Sequence, residues 1–362
     1  MLKPGDSQRF ELLRFPLILF VIYLHATAME VTYGETTVRF TRSAAVVMLQ
    51  AIFSGGIQRV AVPLFFLFAG YLFFIDFDGS IGTWREKIRR RVGTLLVPYL
   101  FWNALITLLF LLGPALPPTA AFFNAQGRLT HVGPLGIHDV MLGITQQPIV
   151  YPMWFVRDLM VLVLLALPLH AILVRTLWLF PSALLALWAV NGGTLTPSAV
   201  EAVTYFVLGA ALALRGASLF AWERGLWLFG ALWLVLFIAY LTLLFGPTRF
   251  WLYKATVAAG VLTALCLPGR ALCYPRLSAA LVALAPASFF VFAAHEPLMT
   301  LVRKLLYRAL PPTPAVVISI YLLLPLVIAA FTAALYFLLR RVAPRFAALV
   351  SGNRVAARTQ AP

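Results

Sequence analysis

The sequence predicts an all-α fold, a polytopic bundle of membrane helices, and three observations support this class. The 362-residue chain is 62% hydrophobic and only 11% charged, whereas soluble domains are about half apolar and a quarter charged. Many uninterrupted apolar segments approach the ~20 residues that span the hydrocarbon core of a bilayer. These segments lack the alternating pattern of transmembrane β-strands, which argues against a β-barrel.

The apolar segments divide into ten predicted membrane-spanning helices, separated by polar or basic stretches. The second helix starts either at residue 57 or earlier, near Ser43, with Gly55-Gly56 as a break. Such breaks occur in membranes where neighbouring protein satisfies the backbone groups they free. The predicted helices cover 11–29, 57–75, 94–115, 154–174, 176–190, 199–214, 225–245, 249–267, 279–302 and 315–339.

The distribution of charge indicates how the chain is oriented. The formal net charge of +16 would suit a nucleic-acid partner, but the Lys and Arg residues lie in short segments between apolar runs. That arrangement is typical of the cytoplasmic loops of membrane proteins, so we expect no nucleic-acid partner. With a cytoplasmic N-terminus, ten helices return the C-terminus to the cytoplasm, and most of the 28 basic residues then lie inside. We therefore predict a multi-pass protein of the cell inner membrane, surrounded by lipid.

Residues 1–345 are predicted to form one transmembrane domain, and 346–362 a basic, disordered cytoplasmic tail. The long segment 116–153 carries few helix signals, and such segments are typical of lids or binding loops. Cysteine occurs only as Cys266 and Cys273. Neither a disulfide framework nor a metal site is expected from so few cysteines.

The first predicted helix carries ionisable residues that a bilayer makes costly. Arg14 and His25 are eleven residues apart, which at about 100° per residue is roughly three turns plus 20°. Their side chains are therefore predicted to point the same way, about 16 Å apart along the helix. Ionisable side chains inside membranes are rare and usually functional. The alternative is that His25 is a polar residue bonded within the bundle or lying at the membrane interface.

A second histidine is predicted to reach a similar depth on another helix. His25 lies about 21 Å beyond Glu11, and His295 lies about 24 Å into the ninth helix, at 1.5 Å per residue. Histidine titrates near neutral pH, so both residues are candidates for taking and returning a proton. Glu296 and the helix-breaking Pro297 follow His295. A structural hydrogen bond at the membrane interface is the alternative for His295.

A run of basic residues before the third helix has two interpretations. As a topology anchor, it holds the loop on the cytoplasmic side. As a phosphate site, joined by Arg14 from the first helix, it presents guanidinium groups that match phosphate oxygens. The run contains Arg85, Lys87, Arg89, Arg90 and Arg91.

Four further polar or aromatic residues are candidates for contacting a substrate. Asn103 lies within the third helix, where a buried amide needs partners, so it is predicted to face the interior. Arg157 and Asp158 are adjacent and either order the site or bind a polar acceptor. Trp154 suits stacking on a sugar but equally suits an interfacial aromatic belt.

These residues resemble the acyltransferase-3 family of integral membrane O-acyltransferases, in its stand-alone form without a fused esterase-like domain. The family opens with an acid, an Arg and, after ten residues, a His, as do Glu11, Arg14 and His25. The resemblance covers essentially the whole chain in family order, with Ala69 and Ala294 as departures. The further matching segments are 62–71, 89–99, 154–159, 205–209 and 289–295.

The resemblance implies a reaction and its substrates. It implies transfer of an acyl group, usually acetyl, from a cytoplasmic acyl-CoA to a hydroxyl of a saccharide or glycan at the outer side of the membrane. Arg14, Lys87 and residues 89–91 would hold the phosphates of acyl-CoA, and Glu11 would orient Arg14. No metal cofactor is implied.

The resemblance also implies roles at the transfer end. His25 would act either as general base on the acceptor hydroxyl or as the group that receives the acyl chain. His295 would help to polarise the acceptor. An oxyanion-stabilising donor is required, and either Asn103 or Arg157 would supply it.

A transporter is the alternative function. Intramembrane titratable groups also serve proton-coupled transport. In that case Arg14, His25, His295 and Glu296 would line the pathway of a polysaccharide or a small polar solute.

Overall fold

The structure is a computed structural model that describes residues 5–27, 30–33, 36–39, 43–115, 136–176, 178–243 and 248–352. Helices form most of this part of the chain, which confirms the all-α class. A small antiparallel hairpin joins strands β1 (Glu30–Tyr33) and β2 (Thr36–Arg39), with Val31 opposite Val38.

The helices follow the apolar segments of the sequence, with short 3₁₀ or π segments at several joints. They are α1 (Asp6–Leu24), α2 (Ala44–Ile52), α3 (Ala61–Phe74), α4 (Ile81–Arg91), α5 (Val97–Leu112), α6 (Ile137–Leu142), α7 (Trp154–Leu164), α8 (Ala166–Thr176), α9 (Leu179–Val190), α10 (Pro197–Leu214), α11 (Leu226–Thr242), α12 (Arg249–Ala271), α13 (Pro275–Leu284), α14 (Ser288–Ala309), α15 (Pro314–Val342) and α16 (Pro344–Ser351).

Membrane-length helices are fewer than the ten predicted. In the described part of the chain, six helical segments are long and apolar enough to cross a membrane, or seven if α7 and α8, bent by 64°, form one span. The shortfall has physical causes: α9 and α10 are short, and α1 carries Asp6, Arg9, Glu11 and Arg14. The segments are Ala44–Phe74, Ile81–Ala115, Glu223–Thr242, Arg249–Ala271, Pro275–Ala309 and Pro314–Val342.

The second predicted span takes the longer of its two forms. Helix begins at Ala44, and the hydroxyl of Ser43 accepts a hydrogen bond from the Val46 N–H at 3.3 Å. That contact satisfies one of the free N–H groups at a helix start. The break falls between α2 and α3, where Gly55 lies.

The chain divides into two compact units. The first unit comprises Met1–Phe20, Ala51–Arg90 and Asp158–Ala285. The second unit comprises Val21–Gln50, Arg91–Arg157 and Pro286–Pro362.

Helices α3 and α10 form the tightest contact of the first unit, and two glycines make it possible. A Cβ built on Gly70 would overlap the carbonyl oxygen of Phe206, and one built on Gly209 would overlap the carbonyl oxygen of Leu67. The backbones therefore approach too closely for any larger residue. Small residues commonly permit such approaches between membrane helices.

The beginning of α1 is anchored within the first unit by charge and by aromatic packing. Arg9 donates two hydrogen bonds to the carboxylate of Glu223, from Nε at 2.6 Å and from Nη2 at 2.9 Å. The ring of Phe10 packs edge-on against Phe68 and Phe220, with centroids 5.0 Å apart in each pair. A bidentate Arg–carboxylate pair of this kind fixes orientation as well as distance.

In the second unit, part of the predicted disordered tail proves to be helical. Helix α16 buries Ala347, Val350 and Ser351, and the indole Nε1 of Trp102 donates to the carbonyl of Val350 at 3.0 Å. The basic composition of the tail suggested disorder, but its apolar residues recur at helical spacing and cover α5. Residues 353–362 of the predicted tail lie outside the described residues.

Candidate active site

His25 and His295 lie side by side in the second unit. Their ring centroids are 5.5 Å apart, and the ring planes are inclined by 33°. The predicted first helix extended to residue 29, but α1 ends at Leu24. His25 therefore occupies a turn just beyond the helix, where its N–H donates to the carbonyl of Ile22 at 3.1 Å. The sequence predicted that His25 and His295 lie at similar depths, and in the structure their rings are neighbours.

The backbone determines which tautomer His295 adopts. Its Nδ1 lies 2.5 Å from the carbonyl oxygen of Phe292, and because a carbonyl only accepts, Nδ1 carries the proton. His295 is fully buried. Among the described residues, none offers a hydrogen-bond partner to its Nε2. Within the described residues, the Nε2 lone pair is therefore left to accept a hydrogen bond.

Exposure distinguishes the two histidines. His25 is half-buried, whereas His295 is fully enclosed. The edge of the Tyr151 ring also meets His25, with centroids 4.8 Å apart and planes at 77°. The His25 ring is therefore partly exposed, and it contacts the rings of His295 and Tyr151.

Asn103 supports the turn that carries Tyr151. Its Oδ1 accepts the Val150 N–H at 3.1 Å, and its Nδ2 donates to the Tyr99 carbonyl at 2.9 Å and contacts the Met153 sulfur at 3.6 Å. Asn103 is fully buried, as the sequence predicts. Both of its amide protons are committed, so the geometry makes Asn103 a positioning residue and not a donor to an oxyanion.

Arg157 stabilises the loop after α6 through hydrogen bonds to its backbone. Its Nη1 donates to the carbonyls of Gly143 at 2.6 Å and Gln146 at 3.3 Å. Asp139 organises the same loop by accepting hydrogen bonds from Thr145, and these bonds hold the pKa of its carboxyl below the usual range. The described half of the predicted binding loop is therefore well connected, while 116–135 lies outside the described residues.

Aromatic residues connect Trp154 with the histidine pair. Trp154 is half-buried and its ring lies 6.5 Å from that of Phe155. Phe155 is 6.2 Å from Phe292, which is 6.0 Å from His295. Trp154 therefore begins a line of rings that leads to the buried histidine. Asp158, the other residue predicted to contact a substrate here, is half-buried and belongs to the first unit.

The predicted phosphate-binding residues differ in how far they are buried and in which groups they contact. Arg14 is half-buried on α1 and is attracted electrostatically by Glu11, three residues earlier. Arg89 is exposed on α4, and Arg90 is exposed and pairs with Glu86 one turn away. Arg91 is half-buried and belongs to the second unit.

Lys87 has a structural role that the sequence pattern did not indicate. Its ammonium donates to the carbonyls of Phe73 and Ile75, each at 2.8 Å, and lies 5.5 Å from the Phe73 ring. It thus satisfies free carbonyls at the end of α3, where a cation is favoured by the helix dipole. These contacts make Lys87 a helix cap.

A second polar cluster lies inside the first unit. The indole Nε1 of Trp188 donates to Glu201 at 3.2 Å, and the Trp188 ring meets Tyr205 edge-on at 5.4 Å. The buried Lys254 ammonium lies 4.4 Å from the same indole ring. Lys254 also attracts the half-buried Glu201 electrostatically, and burying the Lys254 charge is a structural cost that packing must offset.

A small cavity of about 10 Å³, roughly the space of one water molecule, lies within the second unit. Its lining includes Ala26, which follows His25 in the chain, and Met299, one helical turn beyond His295, but neither histidine. Arg303 is its most polar wall, is buried, and leaves Nη1 without a partner among the described residues. The remaining walls include Gln50, Tyr307 and Tyr321.

Comparison with known proteins decides the family. The sequence profile of a family described as an acyltransferase domain matches residues 8–343. This chain belongs to the acyltransferase-3 family. The acyltransferase is 26% identical over 370 residues to the succinoglycan biosynthesis protein ExoH of Rhizobium meliloti (strain 1021), a match that covers 98% of this chain and 94% of that protein. No solved structure matches it.

The family assignment favours acyl transfer over the alternative of a transporter. An acyltransferase requires a group that takes the proton of the acceptor hydroxyl. His25, a half-buried imidazole in contact with His295, has the chemistry for that role. In the described part of the acyltransferase, no three His, Cys, Asp or Glu side chains are grouped as metal ligands would be.

Two residues of this site in the acyltransferase were not singled out by its sequence. Tyr151 was only the start of an apolar segment, and its contact with His25 depends on the turn that Asn103 holds. Arg303 resembled one more basic residue near a helix end. Its spacing of eight residues from His295 places it about 12 Å further along the helix and about 80° round from His295, so the spacing did not single it out.

Proposed function

We propose that this acyltransferase moves an acyl group, with acetyl as the first expectation, from acyl-CoA to a hydroxyl of a saccharide. The observation that carries the proposal is the pairing of His25 with His295, whose ring centroids lie 5.5 Å apart. The saccharide acceptor is supported by the similar protein named for succinoglycan biosynthesis.

We propose that His25 is the general base. It takes the proton of the acceptor hydroxyl while the hydroxyl oxygen attacks the thioester carbonyl. The new C–O bond forms, the C–S bond breaks, and the proton passes from His25 to the departing CoA thiolate. His295, with Nε2 unpartnered among the described residues, contacts the imidazole of His25 and holds it in place.

The donor end is proposed to lie in the first unit. Arg14, oriented by Glu11, and the exposed Arg89 and Arg90 bind the phosphates of acyl-CoA from the cytoplasm. Lys87 is left out of this group because its ammonium is committed to α3. The proposal retains a multi-pass protein of the inner membrane with cytoplasmic termini and an acceptor at the outer side.

The function is tested with the purified full-length protein in lipid nanodiscs. Radiolabelled acetyl-CoA and a neutral oligosaccharide are expected to yield an acylated oligosaccharide, identified by mass spectrometry. When the acceptor is withheld, direct transfer predicts no label on the protein, whereas an acyl-histidine intermediate would retain label. Absence of transfer from acetyl-CoA, malonyl-CoA and succinyl-CoA to neutral and acidic oligosaccharides would contradict the proposed function.

Replacing Arg14 with alanine is expected to weaken binding of acyl-CoA. A hydrogen bond to a charged group contributes about 1.5–3 kcal/mol, so the KM for acyl-CoA should rise about 10- to 100-fold. Steady-state kinetics at saturating acceptor measures this change. Arg276→Ala is the matched control because Arg276 is exposed on α13 and lies outside the proposed donor site. An unchanged KM in Arg14→Ala would exclude the phosphate-binding role.

A further inference from the structure

Helix α16 begins at the membrane boundary, directly after the membrane-length helix α15. Helix α15 has 29 residues, so it is about 43 Å long at 1.5 Å per residue. A bilayer with its headgroups is about 40–45 Å thick, so the last turn of α15 lies at the depth of the headgroups. Helix α16 starts at Pro344, just after α15 ends at Val342, and therefore begins at the same depth.

The two faces of α16 differ in what they meet. Ala347, Val350 and Ser351 form the face that is buried in the second unit. Arg345 and Leu349 are exposed, and at about 100° per residue they lie about 40° apart on the opposite face. Helix α16 therefore presents a cation and an apolar side chain together on the side that faces away from the protein.

The positive charge around this face is not neutralised by the protein. Arg341, in the last turn of α15, and Arg345 are both exposed, and neither makes a hydrogen bond or ion pair with another described residue. No Asp or Glu side chain follows Glu296 in the sequence. Phe346 is 45% exposed and Leu349 42% exposed. The outward face thus combines uncompensated cations with apolar surface at headgroup depth.

An anionic phospholipid matches this combination. Its phosphate accepts hydrogen bonds from guanidinium groups, and basic residues that adjoin a membrane helix are attracted to anionic headgroups. Amphipathic helices at the membrane surface place their apolar side chains at the boundary between headgroups and acyl chains. A zwitterionic phospholipid carries a cation that the arginines repel. A second copy of the chain would bring the same positive charges into contact, and like charges disfavour it.

We propose that α16 is a docking surface for anionic phospholipids. Arg341 and Arg345 bind the phosphate of the headgroup, while Phe346 and Leu349 contact the adjoining part of the acyl chains. The inference goes beyond the proposed function, because it is independent of the acyl group and of the acceptor.

Photo-cross-linking from α16 tests this inference. The full-length protein carrying Phe346→p-benzoylphenylalanine is placed in nanodiscs of equal parts phosphatidylglycerol and phosphatidylcholine, and its lipid adducts are identified by mass spectrometry. Each basic residue near the surface favours anionic lipid about fivefold, so phosphatidylglycerol adducts should exceed phosphatidylcholine adducts at least fivefold. The same substitution at Val327, which is 60% exposed in the middle of α15, should yield both adducts about equally.

Replacing Arg341 and Arg345 together with glutamine is expected to lower the adduct ratio at Phe346 at least threefold. Replacing both with lysine keeps the charge and should preserve most of the preference. Arg308→Gln is the matched control, because Arg308 is exposed at the end of α14, and its ratio should equal that of the wild type. Equal adducts without any arginine replacement, an unchanged ratio in the double glutamine variant, or cross-links to a second copy of the chain in place of lipid would overturn the inference.

Discussion

His25→Ala is expected to lower kcat for acyl transfer by about 10²–10⁴-fold, the contribution typical of a positioned general base. Without the His25 imidazole, the acceptor hydroxyl must lose its proton to water, since His295 is fully enclosed. The KM for acyl-CoA should change little, because the proposed phosphate contacts belong to Arg14 and α4. Initial rates with labelled acetyl-CoA measure the loss.

The control for this prediction is another histidine. His138 is exposed on α6, so His138→Ala should retain the wild-type rate. Thermal unfolding in detergent must show that both variants are folded as the wild type is. A His25→Ala protein that transfers acyl groups at the wild-type rate would remove His25 from the mechanism.

Gly70→Ala is expected to destabilise the protein by about 1–3 kcal/mol, the usual cost of overpacking. The added methyl group would overlap the Phe206 carbonyl, and because backbone cannot rotate away, α3 and α10 must separate. A lower unfolding temperature in detergent and a lower yield of folded protein are the measurements. Gly209→Ala is expected to have a similar effect from the opposite helix.

Two comparisons sharpen this prediction. Gly192→Ala adds the same methyl group where nothing lies within 4 Å, so its unfolding temperature should match the wild type. The double variant of Gly70 and Gly209 should cost less than the sum of the single variants, because one separation of the helices accommodates both methyl groups. Wild-type stability in Gly70→Ala would show that the contact is loose.

Part of the site was predictable because helix geometry is local. A rise of 1.5 Å per residue was sufficient to predict similar depths for His25 and His295, and the rings indeed lie side by side. The burial of Asn103 followed from the cost of an amide inside a membrane. These predictions needed no knowledge of which segments become neighbours.

Other assignments required the neighbours themselves. In the sequence Lys87 resembles a phosphate ligand beside Arg89. In the structure its ammonium donates hydrogen bonds to two carbonyls at the end of α3. The sequence suggested that Arg157 contacts a substrate, but in the structure it donates a hydrogen bond to the carbonyl of Gly143. In both cases a basic residue has the same appearance in sequence whether it binds a ligand or a backbone carbonyl.

The sequence by itself determined the helical membrane class and the family and made the two histidines candidates, because hydrophobicity, helix rise and motif order are properties of contiguous residues. Tertiary structure alone decided that Nε2 of His295 has no partner among the described residues, that α3 and α10 meet through glycine, and that Arg303 borders a small cavity. The physical reason is that hydrogen-bond satisfaction and close packing depend on atoms from segments distant in the chain.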